Sequence, residues 1–182
     1  VQLGGIHGWE SHHGPGIFNP SGQGGWYDHE GLRDQSRSRG TIGSMRGPNM
    51  ATFGECLPGS CIRRNIGRIA PSNRYAVSAA IGIRTAGNDS KEVFDGVTIR
   101  LVSHGKLLAE LSTDTPPGPP NSVTNVGFSW NSSSLPDGIS VGDPLAIEIA
   151  PNQASGDSPG YLDLDNVRVT TLKMSEERPA SR

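Results

Sequence analysis

The stretch Gly-Tyr-Leu-Asp-Leu-Asp-Asn-Val-Arg-Val, residues 160–169, sets two carboxylates, Asp163 and Asp165, in the middle of a strand-like alternation. Leu162 and Leu164 define one face of a period-two pattern and the aspartates the other. Beyond Asn166 the apolar residues change parity, because Val167 and Val169 fall in phase with the acids. A sheet face does not stay both charged and buried over so short a span. The pattern therefore predicts either a β-bulge near Asn166, which would rephase the strand, or a partner that neutralises or bonds the carboxylate oxygens.

Other residue types that do chemistry are spread more thinly. Cys56 and Cys61 flank a Pro-Gly pair that favours a tight turn, so a disulfide across a short hairpin loop, formed in an oxidising compartment, stands beside a pair of reduced thiols. Zinc is disfavoured, because no second Cys or His pair stands at ligand spacing. His12, His13 and His29 are of metal-binding type, but three histidines in a polar segment are expected to be solvated. Glu110 and Glu148 are of glycosidase type, yet sequence separation says nothing of the distance that such a pair requires. Phe18, Trp26 and Tyr27 lie among glycines and polar residues, where an exposed ring can stack on a pyranose while neighbouring polar groups bond its hydroxyls. Trp130 shares a face with Val126 and Phe128 and reads as core.

The elements that must position these residues are strands. The chain has 182 residues, of which 33% are hydrophobic, with 25 Gly and 14 Pro, a balance that suits one domain of short strands joined by many turns. Sixteen basic against eighteen acidic side chains, with no basic run longer than Arg63-Arg64, leave no electrostatic footprint for nucleic acid or an anionic membrane surface. No apolar run reaches the roughly 18 residues that span a bilayer. The first residue is Val1 with no leader pattern following, which is expected of a mature or trimmed form.

Residues 1–48 lack periodicity and read as an irregular, aromatic- and Gly-rich part of the same domain, with Trp9, Phe18, Trp26 and Tyr27 as anchors. Residues 49–172 read as the β core and 173–182 as a polar tail. Within the core, "MATF" and "SCIRRNI" are expected to form a hairpin across the cysteine turn. Tyr75, Val77, Ala79, Ile81 and Ile83 hold one face without interruption. "GVTIRLVS" turns at "HGK" into "LLAEL". "TPPGPP" cannot join a ladder and must cross the surface. "VGFSW" and "PLAIEIA" follow, and then the closing strand. Eight or so strands without a capped amphipathic helix predict an all-β fold, an antiparallel two-sheet sandwich of jelly-roll type.

The order of these elements resembles the calcium-binding jelly-roll, galactose-binding-like superfamily that includes carbohydrate-binding modules, secreted proteins with the PEP-CTERM sorting signal, and Stig cyclases. "GIHGWE" with "GIFNPSGQGGWYDHEG" is similar to the family's opening and its Asn-Pro-Ser loop. "GPNMATF" is similar to the short strand that follows, "IAPSNRYAVSAAIGIR" to the segment that begins the long core strand, and "LDLDNVRV" to the closing Asp-Asn-Val strand. Together these cover most of residues 5–170. The family's usual opening strand, which contributes a carboxylate, has no match before Trp9, and the tail lacks the apolar helix of the sorting signal.

The resemblance implies a structural Ca²⁺ bound by the aspartate of the closing motif, here Asp165, which would answer the charge problem of that strand. A carboxylate bonded by backbone N–H groups at a bulge, without metal, is the alternative, and Asp163 is assigned to solvent or a loop bond. The function implied is a secreted, extracellular, non-catalytic binding module with carbohydrate or a cell-surface glycan as partner, through Phe18, Trp26 and Tyr27. Two other readings accompany it. One is a self-assembling filament or surface-layer subunit, a homo-oligomer formed by strand exchange at an open sheet edge. The other is a Stig-cyclase-like enzyme in which Asp165 is the acid beside an apolar pocket.

Overall fold

The computed structural model describes residues 9–12, 16–18, 50–54, 61–82, 84–86, 91–94, 96–115, 117–118, 123–152 and 161–174. Their regular structure is all strand. In chain order the strands are β1 (Glu10–His12), β2 (Gly16–Phe18), β3 (Met50–Gly54), β4 (Cys61–Arg68), β5 (Asn73–Gly82) and β6 (Arg84–Ala86), then β7 (Lys91–Val93), β8 (Val97–Ser103), β9 (Lys106–Thr113), β10 (Val123–Asn131), β11 (Pro144–Pro151) and β12 (Tyr161–Lys173). Eight of them have five or more residues, the number expected from the sequence, and the other four have three each. Two of these short strands, β1 and β2, lie in the segment whose sequence reads as irregular.

Two antiparallel five-stranded sheets, β1-β4-β11-β8-β9 and β10-β5-β12-β3-β2, form a β-sandwich of jelly-roll type, with a small β6-β7 ribbon beside them. The apolar alternation predicted for the longest strands is what closes the sandwich. Val77, Ala79 and Ile81 of β5 and Leu162 and Leu164 of β12 meet Ile62, Ile99, Leu101, Ile147 and Ile149 of the first sheet in one continuous core. Trp130 belongs to this core, 7% exposed, with its ring 5.5 Å from that of Tyr75. Tyr75 is fixed in turn, since its hydroxyl accepts a hydrogen bond from the Ala70 N–H at 2.7 Å.

Two turns follow from local chemistry. Between β8 and β9, His104 and Gly105 both have positive φ, 47° and 74°, which is the two-residue hairpin turn whose twist matches the flanking strands. The Pro-rich stretch after β9, which is poor in N–H donors and cannot itself join a ladder, stands in sequence between that edge strand of the first sheet and β10 of the second. The expected hairpin across the cysteine turn does not form. β3 pairs with β12 and β2 in the second sheet, while β4 pairs with β11 and β1 in the first. Each strand instead finds its neighbours far away in sequence, β3 in the second sheet and β4 in the first.

The break in the closing strand is a bulge. Asp165 pairs with Ala80 and Arg168 with Ser78, so β12 spends one residue more than β5 between these pairs, and Asn166 takes φ 49°. The Arg168 Nε donates to Asn166 Oδ1 at 2.8 Å. Before the bulge Leu162 and Leu164 face the core. After it Val167 and Val169 do, and both pack against the core cluster. Left-handed backbone is cheapest for Gly, tolerable for Asn and costly for a β-branched residue. Asn166→Val should therefore lower the free energy of unfolding by about 1–3 kcal/mol while Asn166→Gly leaves it within about 1 kcal/mol, a contrast that urea denaturation monitored by tryptophan fluorescence would check.

Candidate functional site

The bulge sends the two halves of β12 to different tasks. Asp163 and Asp165 lie opposite Gly82 and Ala80, on the outer face of the second sheet, while Leu162 and Leu164 face inward. Of the two alternatives for Asp163, solvent or a loop bond, its 0% exposure removes the first, and Asp165 is half-buried. The two acids differ by position: Asp163 lies opposite Gly82, which in turn lies opposite Val123, 2% exposed, whereas Asp165 borders the bulge. The Asn166 N–H donates to Asp165 Oδ1 at 2.6 Å, so a backbone N–H at the bulge does bond this carboxylate. Among the described residues no group of three or more His, Cys, Asp or Glu side chains is placed to hold a metal ion.

Beyond the bulge, the inner face of β12 forms one wall of a cleft of about 590 Å³, open at the side of the sandwich. That volume lies within the range of small-ligand sites, about 300–1,000 Å³. The cleft exists because strands stop short on both sheets. β1 covers β4 only as far as Arg63, and β3 covers β12 only from Tyr161 to Leu164. Both strands also bulge here, β12 at Asn166 and Val167, β4 at Ile66, where Leu145 and Ala146 pair with Gly67 and Asn65. Bulges re-aim side chains, and Ile66 and Val167 both line the cleft. Ile147 and Val169 complete an apolar floor, with Trp9, Arg64, Asn65 and Thr171 among the groups around it. The Arg64 guanidinium carbon lies over the Trp9 ring, 6.0 Å from its centroid.

The outer face of the first sheet has a different character. Glu10, Arg63, Glu148, Arg100 and Glu110 stand in register across all five strands, an alternating row of charge. Arg63 Nη1 meets Glu148 Oε1 at 2.8 Å and Arg100 Nε meets Glu110 Oε2 at 3.2 Å. Glu110 and Glu148 are thus each engaged by an arginine, with Arg100 on the strand between them. Opposite charges across a ladder stabilise modestly, and like charges there would repel. At the end of this face Thr98, Ser112, Asn152 and Asp114 bond one another, Thr98 Oγ1 lying 2.7 Å from Ser112 Oγ and Asn152 Nδ2 donating to Asp114 Oδ1 at 2.5 Å.

Of the residues singled out from sequence, Trp26, Tyr27, Cys56, His13 and His29 lie outside the described residues. Phe18 and His12 are placed only as backbone of β2 and β1. Cys61 is a free thiol. Trp9, which the sequence offers only as an anchoring ring, and Arg64, which it offers only as half of a basic pair, are the polar and aromatic groups that meet in the cleft. The signal for Arg64 was its spacing, two residues from Ile62 and two from Ile66.

No protein-family profile matches the chain, and no curated protein matches it by sequence. Solved structures do. A cyclase from Fischerella sp. TAU superposes with a TM-score of 0.68 at 15% identity, over 96% of this chain and 89% of that one. The Stig cyclase Fisc from the same source, in complex with (3Z)-3-(1-methyl-2-pyrrolidinylidene)-3H-indole, gives 0.68 at 16% identity with the same coverage. The CBM22-1 xylan-binding domain of Paenibacillus barcinonensis Xyn10C gives 0.51 at 10% identity, over 96% and 92%. The chain has the jelly-roll fold that cyclases and carbohydrate-binding modules share. Among the described residues no helix is long and apolar enough to cross a membrane.

Burial pushes the Cys61 thiol above its ordinary pKa, and the Glu148 carboxylate adds to the shift while Arg63 and Arg100 oppose it. A raised pKa leaves less thiolate at neutral pH, and the thiolate is the reacting form. Alkylation of Cys61 by iodoacetamide, followed by peptide mass spectrometry, should therefore be slower at pH 7.5 than that of a model thiol, with the gap narrowing above pH 9. Glu148→Gln should accelerate it several-fold at pH 7.5, because the variant loses a repelling carboxylate and frees Arg63 from its ion pair.

Proposed function

We propose that this protein is a secreted, non-catalytic carbohydrate-binding module stabilised by calcium, and that the cleft between β4 and β12 is where sugar is held. The observation that carries the reading is the composition of that cleft. An aromatic ring, Trp9, with the Arg64 guanidinium over it, shares the lining with the apolar Ile66, Ile147, Val167 and Val169 and with Asn65 and Thr171. A pyranose has the complementary surface, a C–H face that stacks on an aromatic ring and a rim of hydroxyls that takes hydrogen bonds. The fold shared with a xylan-binding domain is in keeping with this use, although fold alone does not assign function. Trp26, Tyr27 and Phe18 remain candidates for further contacts with a longer glycan. Titration of the full chain with xylo-, cello- and manno-oligosaccharides by calorimetry should show binding to at least one of them. Trp9→Ala should weaken that binding about tenfold or more while the far-ultraviolet spectrum is unchanged. Absence of binding to any glycan on a broad array would refute the reading.

Calcium enters through the acids of the closing strand. The donor set is right in kind, since Asp163 and Asp165 are hard oxygen ligands and Asp163 is withdrawn from water. Ca²⁺ takes roughly six to eight oxygens, so two carboxylates would need backbone carbonyls or further side chains beside them. When bound, the ion would supply positive charge to a face of β12 that otherwise carries two acids, and no catalytic chemistry. In this reading EDTA should lower the melting temperature by several degrees and excess Ca²⁺ should restore it. Asp163→Asn should abolish the dependence on Ca²⁺, as differential scanning calorimetry with and without chelator would show. A melting temperature indifferent to chelator would remove calcium from the account.

A cyclase-like reading draws on the same shared fold. It would place its chemistry elsewhere, because Asp165 lies on the face of the second sheet away from the cleft. A self-assembling subunit would rest instead on the edge of β12 beyond Leu164, where β3 no longer pairs with it.

A further inference from the structure

Deepening the carbohydrate reading and resting on it, we infer that the glycan held in the cleft is acidic, built from hexuronate residues whose carboxylate pairs with Arg64. The position of Arg64 is the first reason. It lies in phase with Ile62 on β4 and directly across from Ile147, which in turn lies across from Leu101; Ile147 and Leu101 are 1% and 0% exposed. A row of core side chains thus ends in a cation at the point where the sandwich opens. Arginine stays charged at any physiological pH, so the charge must be met by water or by an anion.

The second reason is that the neighbouring acids are turned elsewhere. Glu10 and Glu148 are on the outer face of the first sheet with Arg63, and Asp163 and Asp165 are on the outer face of the second. Among the described residues Arg64 has no ion pair and no hydrogen bond, and its one contact of this kind is with the Trp9 ring. That contact spends none of the five N–H donors that a guanidinium presents to a carboxylate. Asn65 adds to the set, since its Oδ1 already accepts from the Gly67 N–H at 3.0 Å and what it has left to offer a ligand is its amide N–H donors.

The third reason is distance. A hexuronate carries its carboxylate directly on the pyranose ring, so a sugar held in the cleft brings the anion close to the guanidinium, which lies over the Trp9 ring 6.0 Å from its centroid. A neutral sugar of the same shape would leave the exposed guanidinium to water.

The test is calorimetric titration of the full chain, at saturating Ca²⁺, with a trimer of α-1,4-galacturonate, its fully methyl-esterified form, and a neutral xylotriose. Wild type should bind the free acid at least about tenfold more tightly than the ester, with the difference shrinking in 0.5 M NaCl. Arg64→Gln should weaken binding of the free acid far more than binding of the ester, so that the preference disappears, while Arg64→Lys should retain part of it. Melting curves of both variants establish that they fold. Equal affinity for acid and ester, or an Arg64→Gln variant that weakens both alike, overturns the inference and leaves the carbohydrate reading standing. Failure to bind any of the three, together with a blank glycan array, overturns both.

Discussion

One extra residue in β12 governs the arrangement of this molecule. Strand alternation has a period of two, so the bulge at Asn166 and Val167 exchanges the faces of everything beyond it. Before the bulge, leucines enter the core and aspartates leave it. After the bulge, valines enter. Without it Val167 and Val169 would lie on the aspartates' face, Arg168 would point into the sandwich, and the wall of the cleft would be lost. The positive φ of Asn166, bonded through its side chain by Arg168, is where the strand accommodates the change.

The parity break was legible in the sequence because alternation is a local property, and so was the β8–β9 hairpin, whose His-Gly turn carries its own conformational signature. Trp130 was legible for the same reason. The pairing of β3 and β4 was not, since a short loop in a sandwich can either fold a strand back or carry it to the opposite sheet, and only partners far downstream, β11 and β12, decide which. Nor was it legible which aspartate is enclosed. Alternation puts Asp163 and Asp165 on one face, but the difference between them depends on how far along that face solvent is excluded. The bulge of β4 at Ile66, the other half of the cleft, leaves no parity signal, because the residues after it are Gly67 and Arg68.

The two faces of the first sheet show what partnering does to a polar group. On the outer face the charges alternate from strand to strand, so that each arginine stands between acids and each acid beside an arginine. Such a row is worth little per pair in stability at an exposed face. Its stronger effect is on register, because a slip of one residue would set Arg64 in the place of Arg63 and bring the acids against apolar side chains. The row also accounts for Glu110 and Glu148 without catalysis.

Arg63 and Arg64 make the point most sharply, because they are the same residue type at adjacent positions in one strand. Pleating sends Arg63 outward, where Glu148 meets it at 2.8 Å, and Arg64 inward, in line with Ile62. A charge on the inner face is tolerable only where the opposing sheet fails to cover it, since enclosing a guanidinium without an anion is costly. The opposing sheet fails at this point because β3 stops pairing at Leu164 and β12 bulges immediately afterwards. The cation and the opening are therefore a single feature: the irregularity that relieves the closing strand of its charge conflict is also what leaves room for Arg64 to face a cleft instead of a core.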